Sequence, residues 1–234
     1  MSDGSPRVAL VTGTASGIGA AVAGRLTADS WTVAGLDLAP SSGVALSLQG
    51  DVADRDVVES AVQRVFDELG PVELLVTAAG MHEMVPFDAI DEPQWRRMLS
   101  VHLGGTVNAC TAVVAPMREA GRGCIVTISS ELALSGGDGE AHYAAAKGAV
   151  IGFTRSLGAE LAPHGVRVVN VAPGPTDTPL IGEDSFAREE EYLATLPLRR
   201  LVRPEEVADT VAFVANEGTY FAGQVISPNA GAVI

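Results

Sequence analysis

The sequence predicts an α/β fold in which a doubly wound parallel sheet of about seven strands is flanked by helices. Short β-branched runs alternate with longer amphipathic stretches, a glycine-rich turn joins the first run to the first stretch, and the alternation continues without a linker or repeat. In order, the strands are RVALVTG, TVAGLD, a segment around 44–48, VELLVTAAG, GCIVTISS, VRVVNVAPG and GQVISP. Between them lie expected helices at 17–28, 54–69, 93–119, 142–163 and 204–215. Only APSSG and its neighbours separate TVAGLD from the next strand, less than the roughly 10–12 residues that a crossover with its helix needs. A missing or single-turn helix is expected there. Residues 176–197, rich in Pro, Gly and Glu, read as a substrate lid or as a solvated acidic helix. One domain is expected over 1–234.

Twenty-nine acidic against 15 basic side chains give a formal charge of −14, which excludes nucleic acid as a partner. With 47% hydrophobic and 19% charged residues, the chain has enough apolar surface for a large core. The stretch without formal charge, 101–117, contains His102, Asn108, two threonines and Pro116, so no membrane span is expected. MSDGSPR lacks the basic-then-apolar pattern of an export signal. Cys110 and Cys124 lack metal-ligand spacing and read as buried free thiols. A cytoplasmic location is expected.

After the first strand comes Thr12-Gly13-Thr14-Ala15-Ser16-Gly17-Ile18-Gly19, and a helical pattern begins at once. Glycines in such a turn let the backbone approach a pyrophosphate, while the helix N-terminus offers unpaired N–H groups to the anion. The spacing is not GxGxxG, and a plain strand–helix connection would read the same way. Asp37 ends the second strand 18 positions after Gly19, near the distance at which a carboxylate meets the adenosine ribose. It would repel a 2′-phosphate, and neither 14–16 nor 38–42 carries an Arg or Lys to offset the repulsion. NAD is therefore expected rather than NADP.

The only lysine, Lys147, follows Tyr143 by four positions on an expected helix, so the two share a face. With three tyrosines in 234 residues, a lone lysine falls there by chance in about one placement in 80. A tyrosine is a poor base at neutral pH, and a nearby ammonium favours its phenolate. The apolar neighbours in AHYAAAKGAVIGF argue against a merely solvated pair. Ser129 and Ser130 both end the strand CIVTISS at the carboxyl edge, where doubly wound sheets place ligands. A serine there can donate to a substrate carbonyl, and alternation does not choose between the two.

TGTASGIG, Asp37, Asp51-Val52, TAAG, Ser130, YAAAK and APGPTDT stand in the order found in short-chain dehydrogenases/reductases, and the chain resembles that family, with its Rossmann-like fold, over essentially its whole length. The resemblance implies that Gly13, Gly17 and Gly19 line the cofactor pyrophosphate, with Asp51 and Val52 beside the adenine. It places Pro173, Gly174 and Thr178 at the nicotinamide end, and adds Ser16, Ile18, Ala79, Gly80 and Thr176 to the cofactor contacts. Ser130 matches the family serine by its distance to Tyr143. Tyr143 matches the acid/base and Lys147 the residue that holds the ribose and lowers the tyrosine pKa. Three departures stand out. Thr77-Ala78-Ala79-Gly80 replaces Asn-Asn-Ala-Gly, SPNAG replaces the usual C-terminal segment, and His102 stands where an asparagine usually anchors a proton-relay water. Either the backbone carbonyl at 102 does that anchoring or the imidazole itself shuttles protons.

The expected chemistry is NAD-dependent hydride transfer between a secondary alcohol and a ketone, with Tyr143 as general acid/base. The expected pocket walls are 81–90, 131–142 and the segment after Thr178, in which His82, Glu131 and His142 can each recognise a hydroxyl. Glu183, Asp184 and 189–191 would repel a polyanionic carrier if they face the mouth. A small uncharged substrate is favoured, with a cyclic diol or a 3-oxoacyl-type substrate as alternatives. A non-catalytic NAD(H)-binding regulator is the rival of another class, and a sugar-nucleotide epimerase would need a substrate domain for which the chain is too short. By resemblance, helices 93–119 and 142–163 pair with their copies in a homodimer or homotetramer.

Overall fold

The computed structural model describes residues 6–233, so most of the N-terminal segment read for an export signal lies outside the described residues. Seven parallel strands form one sheet: β1 (Arg7–Thr12), β2 (Trp31–Asp37), β3 (Leu46–Gln49), β4 (Val72–Thr77), β5 (Gly123–Ile128), β6 (Val166–Val171) and β7 (Val225–Ile226). Their spatial order is β3-β2-β1-β4-β5-β6-β7, so the winding reverses between β1 and β4 and opens a crevice at the carboxyl ends of those strands. Val11 of β1 pairs with Gly35 of β2 and Val76 of β4, and nearly every residue of the central strands is buried. That two-sided burial explains their near-continuous apolar runs.

The helices cover both faces. On one, α1 (Gly17–Ala28) and α8 (Pro204–Asn216) pack Val22 and Leu26 with Val207, Val211 and Val214 onto the sheet. On the other, α2 (Arg55–Glu68) and α4 (Gly105–Ala120) bury Val58, Val65, Val113 and Met117, and Leu161 of α6 (Ala141–Leu161) joins them. Asp54 caps α2 by accepting from the amides of Asp56 and Val57. The thiols of Cys110 and Cys124 are free and buried, and desolvation pushes them up to about 12 and about 11.

Two connections depart from regularity. Between β2 and β3 the chain makes only bends, so the short crossover carries no helix at all. The expected single helix over 93–119 is instead α3 (Glu92–Leu99), a π-helical turn over Ser100–Gly104 and α4, with the Gly105 amide bonded to the Ser100 carbonyl five residues back. An α-helical periodicity in the sequence does not show such an insertion. By length and composition alone Glu92–Ala120 would suit a membrane, contrary to expectation, but Ala109, Cys110, Val113 and Met117 within it are core residues.

Residues 176–197 are irregular apart from two short helical turns. They contain a loop, a 3₁₀ turn (Phe186–Arg188) and the short acidic α7 (Glu190–Thr195). Thr176 bridges Val202, and buried Ala187 and Leu196 tie the segment down.

Candidate active site

The crevice at the winding reversal is a cleft of about 1070 Å³ running from the Gly13 turn to α7. Its cofactor-sized end begins where β1 meets α1. Gly13 has φ +78°, and a Cβ there would lie 2.8 Å from the Ala79 backbone, so only glycine fits. A Cβ on Gly19 would collide with the Gly13 carbonyl. Ser16, at the N-cap of α1, makes no side-chain cap, and the first-turn amides keep their capacity to bind an anion. Thr12 Oγ accepts from the amides of Ala78 and Ala79, 3.1 Å each, and so sets the floor of this end after β4. Thr77, the departure from the usual asparagine, lies within reach of the Thr106 hydroxyl at 3.3 Å.

At the far side, Asp37 is fixed by the Ala15 and Ala39 amides, each 3.0 Å from one of its carboxylate oxygens. Each oxygen retains a lone pair for a further donor. Asp51 accepts from the Ala53 amide, and the Asn108 side chain reaches the Val52 carbonyl at 3.0 Å, so α4 holds the loop that forms this wall. Asn108 did not stand out in the sequence because its role depends on a contact 56 residues away. The glycine turn thus meets a carboxylate at the second strand's end and an anion-ready helix terminus. These features suit a dinucleotide.

The chemical end sits where β5 and α6 converge. Both serines line the cleft, but Ser129 donates to Asn170 at 2.5 Å within a buried polar network that includes Thr127 and Thr154, whereas Ser130 donates to Glu131 at 2.8 Å. Geometry thus separates the two serines that alternation left equal. Tyr143 and Lys147 share one face of α6, with the Lys147 Nζ 5.7 Å from the Tyr143 ring centre and donating to the Ile128 carbonyl at 3.0 Å. Burial raises the Tyr143 phenol above its ordinary value, the Glu131 and Glu140 carboxylates add to the shift, and the Ser130 hydroxyl opposes it. Desolvation pushes Lys147 down to about 7.

That lysine has a measurable consequence. The unfolded chain keeps the Lys147 proton up to about 10.5 and the folded chain only up to about 7, so this group makes the protein more stable as pH rises across that window. Lys147→Met is expected to flatten this dependence and to raise the neutral-pH Tm of the free protein by about 3 °C, read by thermal denaturation across pH.

His102 lies in the π-helical turn with its ring edge-on to Tyr143, centroids 5.3 Å apart. Its Nε2 donates to the Met81 carbonyl at 2.8 Å, its own carbonyl accepts from the Thr106 hydroxyl, and Nδ1 has no partner. Burial, followed by the Lys147 charge, lowers its pKa well below the ordinary value and keeps the ring neutral. Gly80 leaves room for this ring, since a Cβ there would lie 2.6 Å from it.

The cleft brings together the residues that the sequence marks for catalysis and cofactor binding: Gly13, Ser16, Gly17, Ile18, Gly19, Asp37, Asp51, Val52, Ala79, Gly80, His102, Ser130, Tyr143, Lys147, Pro173, Gly174, Thr176 and Thr178. The outer walls differ from expectation. Residues 85–90 do not line the cleft, and His142 is fully buried against Trp95, because it sits one position before Tyr143 and so points off the site face of α6. Glu183, Asp184 and 189–191 also lie off the cleft. The lining acids at the chemical end are instead Glu83, Glu131, Asp138 and Glu140, and Tyr192 of α7 closes the wall. Glu140 carried no mark in the sequence beyond its place in a polar loop.

Comparison with known proteins agrees with this architecture. Residues 7–188 match the short chain dehydrogenase family. The chain is similar to the short-chain reductase protein NovJ of Streptomyces niveus, 37% identical and covering 96% of this chain and 93% of that one. It is also 35% identical to the 3-oxoacyl-[acyl-carrier-protein] reductase FabG of Chlamydia muridarum, covering 96% of each. Among solved structures, ligand-free aldohexose dehydrogenase of Thermoplasma acidophilum superposes with a TM-score of 0.90 at 29% identity, over 97% of this chain and 94% of that one. With the family matched over most of its length and relatives covering nearly all of it, the chain belongs to the short-chain dehydrogenase/reductase family of oxidoreductases, which use nicotinamide cofactors.

Proposed function

We propose that the protein is an NAD-dependent oxidoreductase of secondary alcohols and ketones with Tyr143 as its general acid/base. The observation that carries this reading is the convergence of Ser130, Tyr143 and Lys147 on the same cleft as the Gly13–Gly19 turn and Asp37. When bound, the nicotinamide supplies or accepts the hydride at the carbinol carbon. The chain's own residues handle the proton. In reduction, the buried phenol of Tyr143 donates to the carbonyl oxygen while Ser130 steadies that oxygen. In oxidation, Tyr143 as phenolate takes the hydroxyl proton, and Lys147, on the same face of α6, favours that phenolate while it carries its own proton. Gly13, Ser16, Gly17, Ile18 and Gly19 hold the pyrophosphate, Asp37 the adenosine ribose, and Asp51 and Val52 the adenine. Ala79, Gly80, Pro173, Gly174, Thr176 and Thr178 frame the nicotinamide half, with the Lys147 ammonium also on the ribose. In this reading His102 positions Tyr143 and does not shuttle protons, because its ring is buried and neutral.

The folded domain, with 176–197 as the wall over the substrate, acts in the cytoplasm as a homodimer or homotetramer through Glu92–Ala120 and α6. A native mass of one subunit on a sizing column would overturn the assembly. The FabG likeness favours a 3-oxoacyl substrate as a second reading. The carboxylates at the chemical end weigh against an anionic carrier. Titrating the protein with NADH and NADPH by fluorescence, then screening ketones and secondary alcohols, tests the reading. Tight NADH binding with turnover supports it, and cofactor binding without turnover across a broad panel supports a regulator instead.

Glu131 provides a pH test. Its negative charge raises the Tyr143 pKa, so Glu131→Gln lowers it. The alkaline rise of alcohol oxidation is then expected to move to lower pH, as read from kcat against pH. An unmoved or upward-shifted profile contradicts Tyr143 as the titrating base.

A further inference from the structure

Two loops that line the chemical end of the cleft are tied by a backbone bond, the Val85 amide donating to the Gly139 carbonyl at 2.9 Å, and by a side-chain pair, His82 and Glu140. The His82 Nε2 lies 2.8 Å from Glu140 Oε1, and the imidazole stands edge-on to Tyr143 with centroids 5.0 Å apart. Glu140 is only 5% exposed, and its second oxygen, Oε2, has no partner. His82 keeps a quarter of its side chain exposed, and both residues line the cleft. With Nε2 committed to Glu140, the His82 ring has Nδ1 left for a further hydrogen bond. On the serine side Glu131, also buried, accepts the Ser130 hydroxyl. At this end of the cleft four carboxylates, Glu83, Glu131, Asp138 and Glu140, stand against two cationic side chains, Arg97 and Lys147.

An excess of carboxylate acceptors suits a substrate that brings hydroxyl donors of its own. Building on the oxidoreductase reading, we propose that His82, held by Glu140, accepts a hydrogen bond from a second hydroxyl of an uncharged polyol whose neighbouring carbinol faces Tyr143. An anion meets Glu83, Glu131, Asp138 and Glu140 with only Arg97 and Lys147 opposing them, and Arg97 is itself 3.8 Å from Glu83. An ammonium must shed its water on entry, at a cost that a hydroxyl avoids. Glu140 fixes the imidazole orientation and is a positioning residue.

The test compares cyclohexanol, cyclohexane-1,2-diol and 2-aminocyclohexanol on the full-length protein, by binding to its NADH complex and by kcat/KM. The diol is expected to exceed cyclohexanol about tenfold in both, with the amino alcohol below the diol. His82→Phe, which keeps a ring against Tyr143, is expected to reduce that preference to about twofold or less. Glu140→Gln, which keeps an acceptor for Nε2, is expected to reduce it only in part. Cofactor titration and Tm of both variants report folding. Equal binding of diol and cyclohexanol, a preference untouched by His82→Phe, or an amino alcohol above the diol would each overturn the subsite. A binding preference without any turnover would sink the oxidoreductase reading and leave the subsite standing.

Discussion

Tyr143→Phe is expected to lower kcat/KM for ketone reduction by about a thousandfold, while NADH still binds. Replacing the phenol with phenyl removes the group proposed to exchange the substrate proton, and proton transfer by a positioned side chain contributes roughly 10²–10⁴-fold. The ring stays. Its edge-on contacts with His82 and His102 depend on the ring, and the phenol's hydrogen-bond partner is Ser130, itself on the cleft wall. Steady-state kinetics beside a fluorescence titration with NADH separate lost chemistry from lost binding. Activity within about tenfold of wild type would remove Tyr143 from its assigned role.

The second large effect falls on the cofactor. Wild-type protein is expected to bind NADH about a hundredfold more tightly than NADPH, and Asp37→Ala to erase most of that difference. Two ribose hydroxyls donating to one carboxylate make charged hydrogen bonds worth about 1.5–3 kcal/mol each, and the same carboxylate repels a 2′-phosphate. The carboxylate is already oriented by the Ala15 and Ala39 amides, so little ordering remains for the ligand to supply. Asp37→Ala should weaken NADH binding by at least tenfold and leave NADPH binding unchanged or tighter, as measured by fluorescence titration. A wild-type preference for NADPH would contradict the assignment.

The sheet was legible in the sequence because each central strand is covered on both faces, and the resulting runs, such as VALV in β1 and LLV in β4, have no other simple reading. The site residues were legible because Gly13, Asp37, Ser130 and Tyr143 all stand at the carboxyl ends of strands or on the helix that follows, where chain order nearly dictates position. The π-helical turn at His102 was not legible, since one inserted residue changes hydrogen-bond partners without changing residue types. Nor was the His82–Glu140 pair, 58 positions apart and joined only when two irregular loops meet through Val85 and Gly139. The acids at 183–191 illustrate the opposite error. Their density drew attention, yet they lie off the cleft, and the acids at its chemical end are the scattered Glu83, Glu131, Asp138 and Glu140.

The most direct measurement follows the hydride itself. Cyclohexanone is incubated with the protein and NADH carrying two deuterium atoms at the reactive ring carbon, and the alcohol is analysed by mass spectrometry. One deuterium on the carbinol carbon, formed in a reaction that Tyr143→Phe suppresses, is the predicted result. Alcohol without the label, or no alcohol from any ketone tried while NADH remains bound, would contradict the oxidoreductase account.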